Sequence, residues 1–575
     1  MIRNLNNDIE ALNAAREKAY GYGSLCSIRD LFDRVRRCYA GRDCIVERDG
    51  DAFLVHRTDE LCADVEALGT ALLAKDLRGA HIGVIGENSY AFLVVLLATV
   101  CIGSVAVPLD KELTASDHAA LLERADASVV FSAKKYISNL FFRSGLEVFS
   151  LSRSEDETDS LGTLIKRGRA LLDEGDTSFR DIRVQSHDPA VIIFTSGTTG
   201  ANKGVVLTHL NLTANAEGLL ARLPRVERAM CVLPMNHIYE LGCGALPFLY
   251  SGTLYCINDR LRHFFENMRE FCPGHVTVVP SFIDSIYNSV VTSLRKAGIF
   301  DEVFSRIRES NALRLRGIDR RSEIFADVQE LFGCPFPHLG CGGAPVNAEH
   351  VRFLNDVGFD IYIGYGLSET SPIAAMNTDA FRNNVSVGVP FAQTQIRIDS
   401  PDADGNGEIW IRGVNVTGGY YKDPDADAVS FEDGWFKTGD YGRIGAEGEL
   451  YITGRKKNLI ILDNGKNVFP EEIELFFCEN CELCSEAVVL ETRAGTGGKS
   501  VLAAVISIDE ALYNTETAAE TEKQISALNR KLPSYKRVKD ILVVGHPLPK
   551  NSTKKILRPL VAEEYERSKE QNAAQ

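Results

Sequence analysis

Short runs of β-branched and aliphatic residues recur between longer mixed stretches over the first two thirds of the chain: HIGVIG (81–86), SVAVPL (104–109), SVVFS (128–132), AVIIF (190–194), AMCVLP (229–234), HVTVVP (275–280) and IYIGYG (361–366). Runs this short with so little polar alternation predict strands covered on both faces, so this part reads as α/β layers built on largely buried strands. After Gly388 the texture changes. The segments TQIRIDSPDADGNGEIWIRG (394–413) and YGRIGAEGELYITG (441–454) alternate apolar and polar residues around Gly, Asp and Asn turns, which predicts antiparallel hairpins. From Lys456 a helix-strand mixture resumes with PEEIELFF, EAVVLE, VLAAVISI and DILVVG. The expected partition is a large domain over residues 1–454, α/β to about 387 and β-rich over 388–454, then a small α+β domain over 455–575. No internal repeat is visible.

One apolar stretch mimics a membrane span. Asn88 to Leu109 carries no charge, but Gly103 and Pro108 divide it into a helix-like segment of roughly a dozen residues and a short strand, below the ~20 residues a spanning helix needs. A buried helix followed by a strand is expected there. With 45% hydrophobic and 25% charged residues the chain can bury a sizeable core, and unordered chain is expected only at the ends, chiefly in the polar tail after Glu563. The opening residues are polar and carry no secretory signal pattern, so a cytoplasmic location is expected. The fourteen cysteines then read as reduced, small apolar residues.

A net charge of -16 repels phosphate backbones and anionic lipid headgroups, which argues against nucleic acid or a membrane surface as the main partner and leaves at most peripheral contact with a membrane. The charge is uneven. After Arg455 the chain has 17 basic and 18 acidic residues, leaving -15 in the first 455, so the C-terminal part is the less repulsive place for an anion.

The segment VIIFTSGTTGANKGVVLT (191–208) places three glycines, a dense set of hydroxyls and Lys203 between two strand-like runs. Such a loop turns backbone N–H groups and hydroxyls toward an anion, and Gly197, Gly200 and Gly204 permit the close approach this requires. The other readings are a polar hairpin without a ligand and a P-loop. A P-loop needs Gly-Lys-Ser/Thr entering a helix, whereas Gly200 is followed by Ala-Asn-Lys203-Gly204 and a strand.

Thr195-Ser196-Gly197-Thr198-Thr199-Gly200-Ala-Asn-Lys203-Gly204 resembles the signature loop of the adenylate-forming superfamily, which includes acyl-CoA synthetases, peptide-synthetase adenylation domains and luciferases. The resemblance continues in order through Gly342-Gly343-Ala344, Gly364-Tyr365-Gly366-Leu-Ser368-Glu369-Thr, GEIWIRG (407–413), Lys437-Thr-Gly-Asp440, Gly454-Arg455, Gly465-Lys-Asn-Val-Phe-Pro and Pro549-Lys-Asn-Ser-Thr-Lys554-Lys555. It spans residues from about 30 to 560.

The resemblance implies an enzyme that binds ATP and Mg²⁺ and joins a carboxylic acid first to AMP and then to CoA. By the same resemblance, Glu369 helps hold the metal, Ser368 hydrogen-bonds the α-phosphate where the family usually has threonine, and Tyr365 packs on adenine. Asp440 is suited to the ribose hydroxyls, because an ionised carboxylate is acceptor-only with two oxygens, and Arg455 reinforces it. Lys555 is implied to reach between the acid and the α-phosphate, although the family pattern has glycine where this chain has Lys554. Lys457 falls at the family's hinge, which makes the C-terminal domain mobile and lets the Gly465 loop approach the thiol acceptor in a second orientation. His237 falls where family members border the acyl pocket, with Tyr239, Gly242 and Gly340 as lesser pocket candidates. For each of these, a solvated turn or a structural residue is the alternative.

Cys478, Cys481 and Cys484 have a spacing that suggests a metal site; the competing reading places Cys481 and Cys484 with Ile473, Phe476 and Phe477 on one apolar face of a helix starting at Pro470. Within the superfamily the motifs look most like those of bacterial long-chain fatty acid-CoA ligases. The expected substrate is therefore a medium- or long-chain fatty acid, with CoA or an acyl carrier protein as acceptor; a nucleotide-binding protein without turnover is the remaining alternative.

Overall fold

The computed structural model describes residues 25–50, 52–138, 140, 145–196, 202–378, 384–462, 467–493, 500–550 and 556–574. Two large sheets organise the first part. In the six-stranded sheet, Glu147–Ser150, Ala127–Ser132, His81–Ile85, Val105–Leu109 and Pro189–Ser196 run parallel in that spatial order, and Asn202–Thr208 closes it as an antiparallel edge. The nine-stranded sheet has a parallel centre of Asp360–Gly366, His338–Cys341, His275–Val278, Arg228–Cys231, Leu254–Ile257 and Asp43–Asp49, with antiparallel strands at both ends. All seven apolar runs singled out in the sequence form strands of these sheets. The uncharged stretch folds as the fully buried helix Tyr90–Cys101 followed by Val105–Leu109. Ser89 caps that helix by accepting from the N–H of Phe92.

A five-stranded antiparallel sheet follows, assembled from Thr394–Asp399, Gly407–Gly413, Phe431–Glu432, Trp435–Ile444 and Leu450–Arg455, as the alternating texture implies. Beyond it, Glu486–Arg493, Ser500–Ser507 and Val538–Val544 form a three-stranded sheet with its own core around Ile473, Phe477, Val489, Ala504 and Ile506.

Two expectations are corrected here. The polar tail after Glu563 is ordered, as part of the helix Arg558–Ala574. Its one apolar stripe, Val561 and Tyr565 at i and i+4, is buried against Val488, Ala503 and Val505, and the Tyr565 hydroxyl donates to Asp540 Oδ2 at 2.6 Å. The helix starting at Pro470 ends at Asn480, so Cys481 and Cys484 are not on its face. The chain turns extended at Cys481, yet both cysteines still enter the core beside Ile473 and Phe477, and Cys484 Sγ lies 3.5 Å from Cys478 Sγ.

Among the described residues no helix is long and apolar enough to cross a membrane.

Candidate active site

The candidate residues gather where parallel strands end. Thr195 and Ser196 finish Pro189–Ser196, Gly342 to Ala344 follow His338–Cys341, Tyr365 and Gly366 finish Asp360–Gly366, and His237 follows Arg228–Cys231. The carboxyl ends of strands in open α/β sheets are where ligands characteristically bind. Residues Gly197 to Gly200, Gly465 and Lys555 lie outside the described residues, as does the side chain of Ser196.

The arms of the phosphate hairpin pair in register, Thr195 opposite Lys203 and Ser196 opposite Asn202. Its second arm is held by a neighbouring segment: the N–H of Tyr421 donates to Gly204 O at 2.7 Å and that of Val206 to Gly419 O at 3.2 Å. This places the Lys203 ammonium over the Tyr420 ring, 4.8 Å from its centre. The Tyr420 hydroxyl then donates to Glu369 Oε1 at 2.8 Å. Glu369 is the middle residue of a short 3-10 turn, Ser368–Thr370, and its carbonyl receives the N–H of Thr417 at 2.8 Å. Burial raises the pKa of Glu369, while the Tyr420 hydrogen bond, Arg455 and Lys203 pull it back down. These neighbours favour the charged form of the carboxylate against the effect of burial.

Asp440 is 3% exposed. Its Oδ2 accepts from the Tyr365 hydroxyl at 2.8 Å, and its Oδ1 lies 2.9 Å from Arg455 Nε. The cross-strand register that faces Asp440 with Arg455 fixes this pair. The structure thus joins Tyr365, Asp440 and Arg455 into one cluster, which sequence spacing alone does not disclose.

On the other side of Tyr365, the backbone is packed too closely for side chains. A Cβ on Gly342 would fall 2.9 Å from Gly364 O and 3.2 Å from the Tyr239 hydroxyl. Gly343 sits at φ +89° and is exposed with Ala344, leaving their backbone open to a ligand. The Tyr239 hydroxyl lies 3.2 Å from Val278 O and 3.3 Å from Gly340 O, so its ring bridges the ends of two strands two residues beyond His237. Gly242 lies in a π-turn, Leu241–Ala245, where a Cβ would meet Pro372 at 2.7 Å and Ser371 O at 2.8 Å.

Three residues that shape the site escaped the sequence reading. Tyr420 links Lys203 to Glu369. Asn215 donates to Gly242 O at 2.7 Å and accepts the N–H of Ile373 at 3.1 Å, tying the His237 segment to the strand Ile373–Met376 that follows the Glu369 turn. Glu240 is fully buried; its Oε2 accepts the N–H of Leu233 at 3.0 Å and its Oε1 the Tyr255 hydroxyl at 2.5 Å, so it clamps the loop that carries His237. Burial pushes its pKa up to about 7. A glutamate directly following Ile238-Tyr239 in an otherwise apolar segment was the available signal.

Lys457 occupies a 3-10 turn, Lys456–Asn458, between the five-stranded sheet and the C-terminal core. Burial lowers its pKa, and Arg455 beside it acts in the same direction. Asn458 donates to Glu471 Oε1 at 2.5 Å and Lys456 pairs with Glu408 at 2.8 Å, so the turn is bonded on both sides. Of the basic run near Lys555, Lys550 pairs with Glu486, and Arg558 donates to Glu474 Oε1 at 2.8 Å; these two brace the C-terminal core. Lys550 and Ile556, which flank the segment containing Lys555, form an isolated antiparallel bridge.

The chain is similar to known proteins. The family model for AMP-binding enzymes matches residues 53–421, and that for the AMP-binding enzyme C-terminal domain matches residues 457–571. The long-chain-fatty-acid–CoA ligase FadD15 of Mycobacterium bovis is 29% identical over 498 residues, 80% of either chain. A feruloyl-CoA synthase of Amycolatopsis is 28% identical over 536 residues, 91% of this chain and 96% of its own. Among solved structures, ATP-bound MatB of Rhodopseudomonas palustris superposes with a TM-score of 0.75 at 22% identity, covering 93% of this chain and 99% of its own.

Proposed function

Because the chain belongs to the AMP-binding enzyme family, we propose that it is the acid-thiol ligase of a medium- or long-chain fatty acid, acting in the cytoplasm with CoA as acceptor. The acid is assigned from the motif resemblance and from relatives named as fatty-acid-CoA ligases. One observation carries the reading: Tyr420 joins the phosphate hairpin to Glu369, its ring 4.8 Å from the Lys203 ammonium and its hydroxyl donating to Glu369 Oε1 at 2.8 Å.

In the first half-reaction the acid's carboxylate oxygen bonds to the α-phosphorus of ATP and pyrophosphate leaves. Both reactants are anionic, so the barrier falls when cations and hydrogen-bond donors are already in place around them. Lys203 and the backbone of the hairpin from Thr195 bear on the phosphates, and Ser368 offers a hydroxyl. The Gly343-Ala344 backbone and the Tyr365 ring border the adenine, and Asp440 with Arg455 takes the ribose. His237 and Tyr239 face the acid. Mg²⁺ fits the site: Glu369 presents a hard carboxylate oxygen beside the phosphate hairpin, and this ion characteristically takes one or two carboxylates with phosphate oxygens and water completing its shell. When bound, it offsets charge on the phosphates. In the second half-reaction the thiol attacks the acyl carbon and AMP leaves. We assign residues 1–454 to the adenylating domain, with 388–454 as its β-rich part, and 455–575 to a small domain that pivots at Lys457, bringing Lys555 and then the Gly465 loop to the site.

The test is pyrophosphate exchange into ATP with a panel of straight-chain, aromatic and dicarboxylic acids, followed by mass detection of the CoA thioester. Exchange with straight-chain acids of medium or long chain and thioester release is expected. Exchange confined to aromatic or dicarboxylic acids would overturn the assigned acid, and adenylation without a CoA product would overturn the acceptor.

A further inference from the structure

The chain is acidic, yet residues 295–321 hold eight Arg or Lys against four Asp or Glu. They span the end of the helix Pro280–Ala297, the helix Phe300–Arg314 and the turn that follows. At 100° per residue, Phe304, Arg308, Ala312 and Leu315 share one side of the second helix. All four are exposed, whereas Val303, Ile307 and Ser310 on the opposite side are buried. The apolar members are conspicuous in water: Leu315 is 91% exposed, and Phe304 and Ile318 are each 42% exposed. Gly317, at φ +76°, turns the chain so that Leu315 and Ile318 stand together at its tip. Stripe and tip extend about 17 Å along the helix.

The cations divide into two sets. Arg306, Arg314, Arg320 and Arg321 pair with Asp327, Asp356, Glu323 and Asp360, and so are neutralised within the fold. Arg295, Lys296, Arg308 and Arg316 make no ion pair with a described residue, and Arg295 stacks on Phe300 instead; the exposed Asp301 and Glu309 are likewise without an ion pair to a described residue, which leaves an excess of two unpaired cations. Unpaired cations flanking exposed leucine, isoleucine and phenylalanine form the chemistry that meets anionic headgroups and the acyl boundary beneath them. The position suits such contact. Arg321 donates to Asn355 O and Phe359 O at the start of strand Asp360–Gly366, the edge opposite to Tyr365 and Gly366. A surface held there leaves the nucleotide end of that strand in water.

We propose that the outer face of Phe300–Arg314 with the Leu315–Arg320 turn is a docking surface for anionic phospholipid bilayers. The inference deepens the fatty-acid reading, because such acids partition into bilayers, and it rests on that reading for its purpose but not for its test. The full chain is sedimented with vesicles of phosphatidylcholine alone or mixed equally with phosphatidylglycerol, at low and high salt. Binding to the mixed vesicles, lost at high salt, is expected. Leu315→Ser/Ile318→Ser and Arg308→Gln/Arg316→Gln should each lower the bound fraction by about tenfold or more, with thermal melting and pyrophosphate exchange unchanged. Absence of vesicle binding, or equal binding by both double variants, overturns the proposal. So does concentration-dependent dimerisation of the free chain that these variants abolish, since the face would then belong to a second copy. Vesicle binding without any pyrophosphate exchange would leave the docking surface standing and remove the assigned chemistry.

Discussion

Glu240 offers a perturbation whose size follows from its surroundings. Its carboxyl is fully buried, three residues after His237, and its folded pKa of about 7 stands above the ordinary 4.5 because burial disfavours the charge. A group with a raised folded pKa stabilises the fold fully below its unfolded pKa and loses that contribution as pH climbs through the folded one. Between pH 5 and 8, the unfolded chain gives up this proton well before the folded chain does. The linked loss of stability is about 2.5 kcal/mol, at 1.36 kcal/mol per pKa unit. Glu240→Gln keeps an acceptor for the Leu233 N–H and supplies an NH₂ toward Tyr255, so it mimics the protonated acid and abolishes the titration. For a cooperative unit of about 400 residues, with an unfolding entropy near 2.1 cal/mol/K per residue, the loss corresponds to about 3 °C. Calorimetry at a series of pH values should therefore show the wild-type melting temperature of the large domain falling about 3 °C more than the variant's between pH 5 and 8. Parallel profiles, or a variant that falls faster, would refute the argument that this carboxyl is held in its acid form.

Tyr420→Phe removes the hydroxyl from Glu369 while keeping the ring under Lys203; the hydrogen bond that lowers the Glu369 pKa is lost, so the acidic limb of the kcat/KM profile should move to higher pH, and an unmoved limb would dissociate Glu369 from the pH dependence. Gly343→Ala meets no atom nearer than Val279 Cγ1 at 3.9 Å, so its cost is the strain of a left-handed alanine, about 1 kcal/mol, carried alike by the free and the ligand-bound enzyme; it should appear as a melting temperature lower by about 1 °C with the KM for the acid unchanged, and an unmoved melting temperature would refute the strain. Lys555→Ala should abolish adenylation while sparing thioester formation from supplied acyl-AMP, and Lys554→Ala should retain both; the reverse pattern would assign the mobile cation to Lys554, and equal loss of both half-reactions in Lys555→Ala would count against a pivoting domain.

The buried strands were readable because continuous apolar runs have few other outcomes in a chain of this length, and the hairpins because alternation and turn residues coincide. What stayed hidden depends on contacts between distant residues. The strands Asp43–Asp49 and Ala52–Arg57 escaped notice because neither alternates cleanly, and Ala52–Arg57, the edge of its sheet, leaves Leu54 and Val55 exposed. The tail helix Arg558–Ala574 hides its single apolar stripe among charges. Arg222 reads as a surface residue, yet it is buried and its guanidinium donates to Met376 O at 3.0 Å and Val389 O at 2.7 Å. The motif residues were individually visible, but the link from Lys203 through Tyr420 to Glu369 spans 51 residues in its second half alone. Arg558 and Lys550 looked equivalent to their neighbours Lys554 and Lys555 until their carboxylate partners were seen.

The central claim is that this cluster drives attack of a carboxylate on the α-phosphorus of ATP. Turnover with a fatty acid carrying heavy oxygen in both carboxyl positions, in the presence of CoA, tests it most directly. The account predicts AMP containing one heavy oxygen and pyrophosphate containing none; heavy oxygen in inorganic phosphate with ADP as co-product would contradict it, because the acid would then have attacked the terminal phosphate.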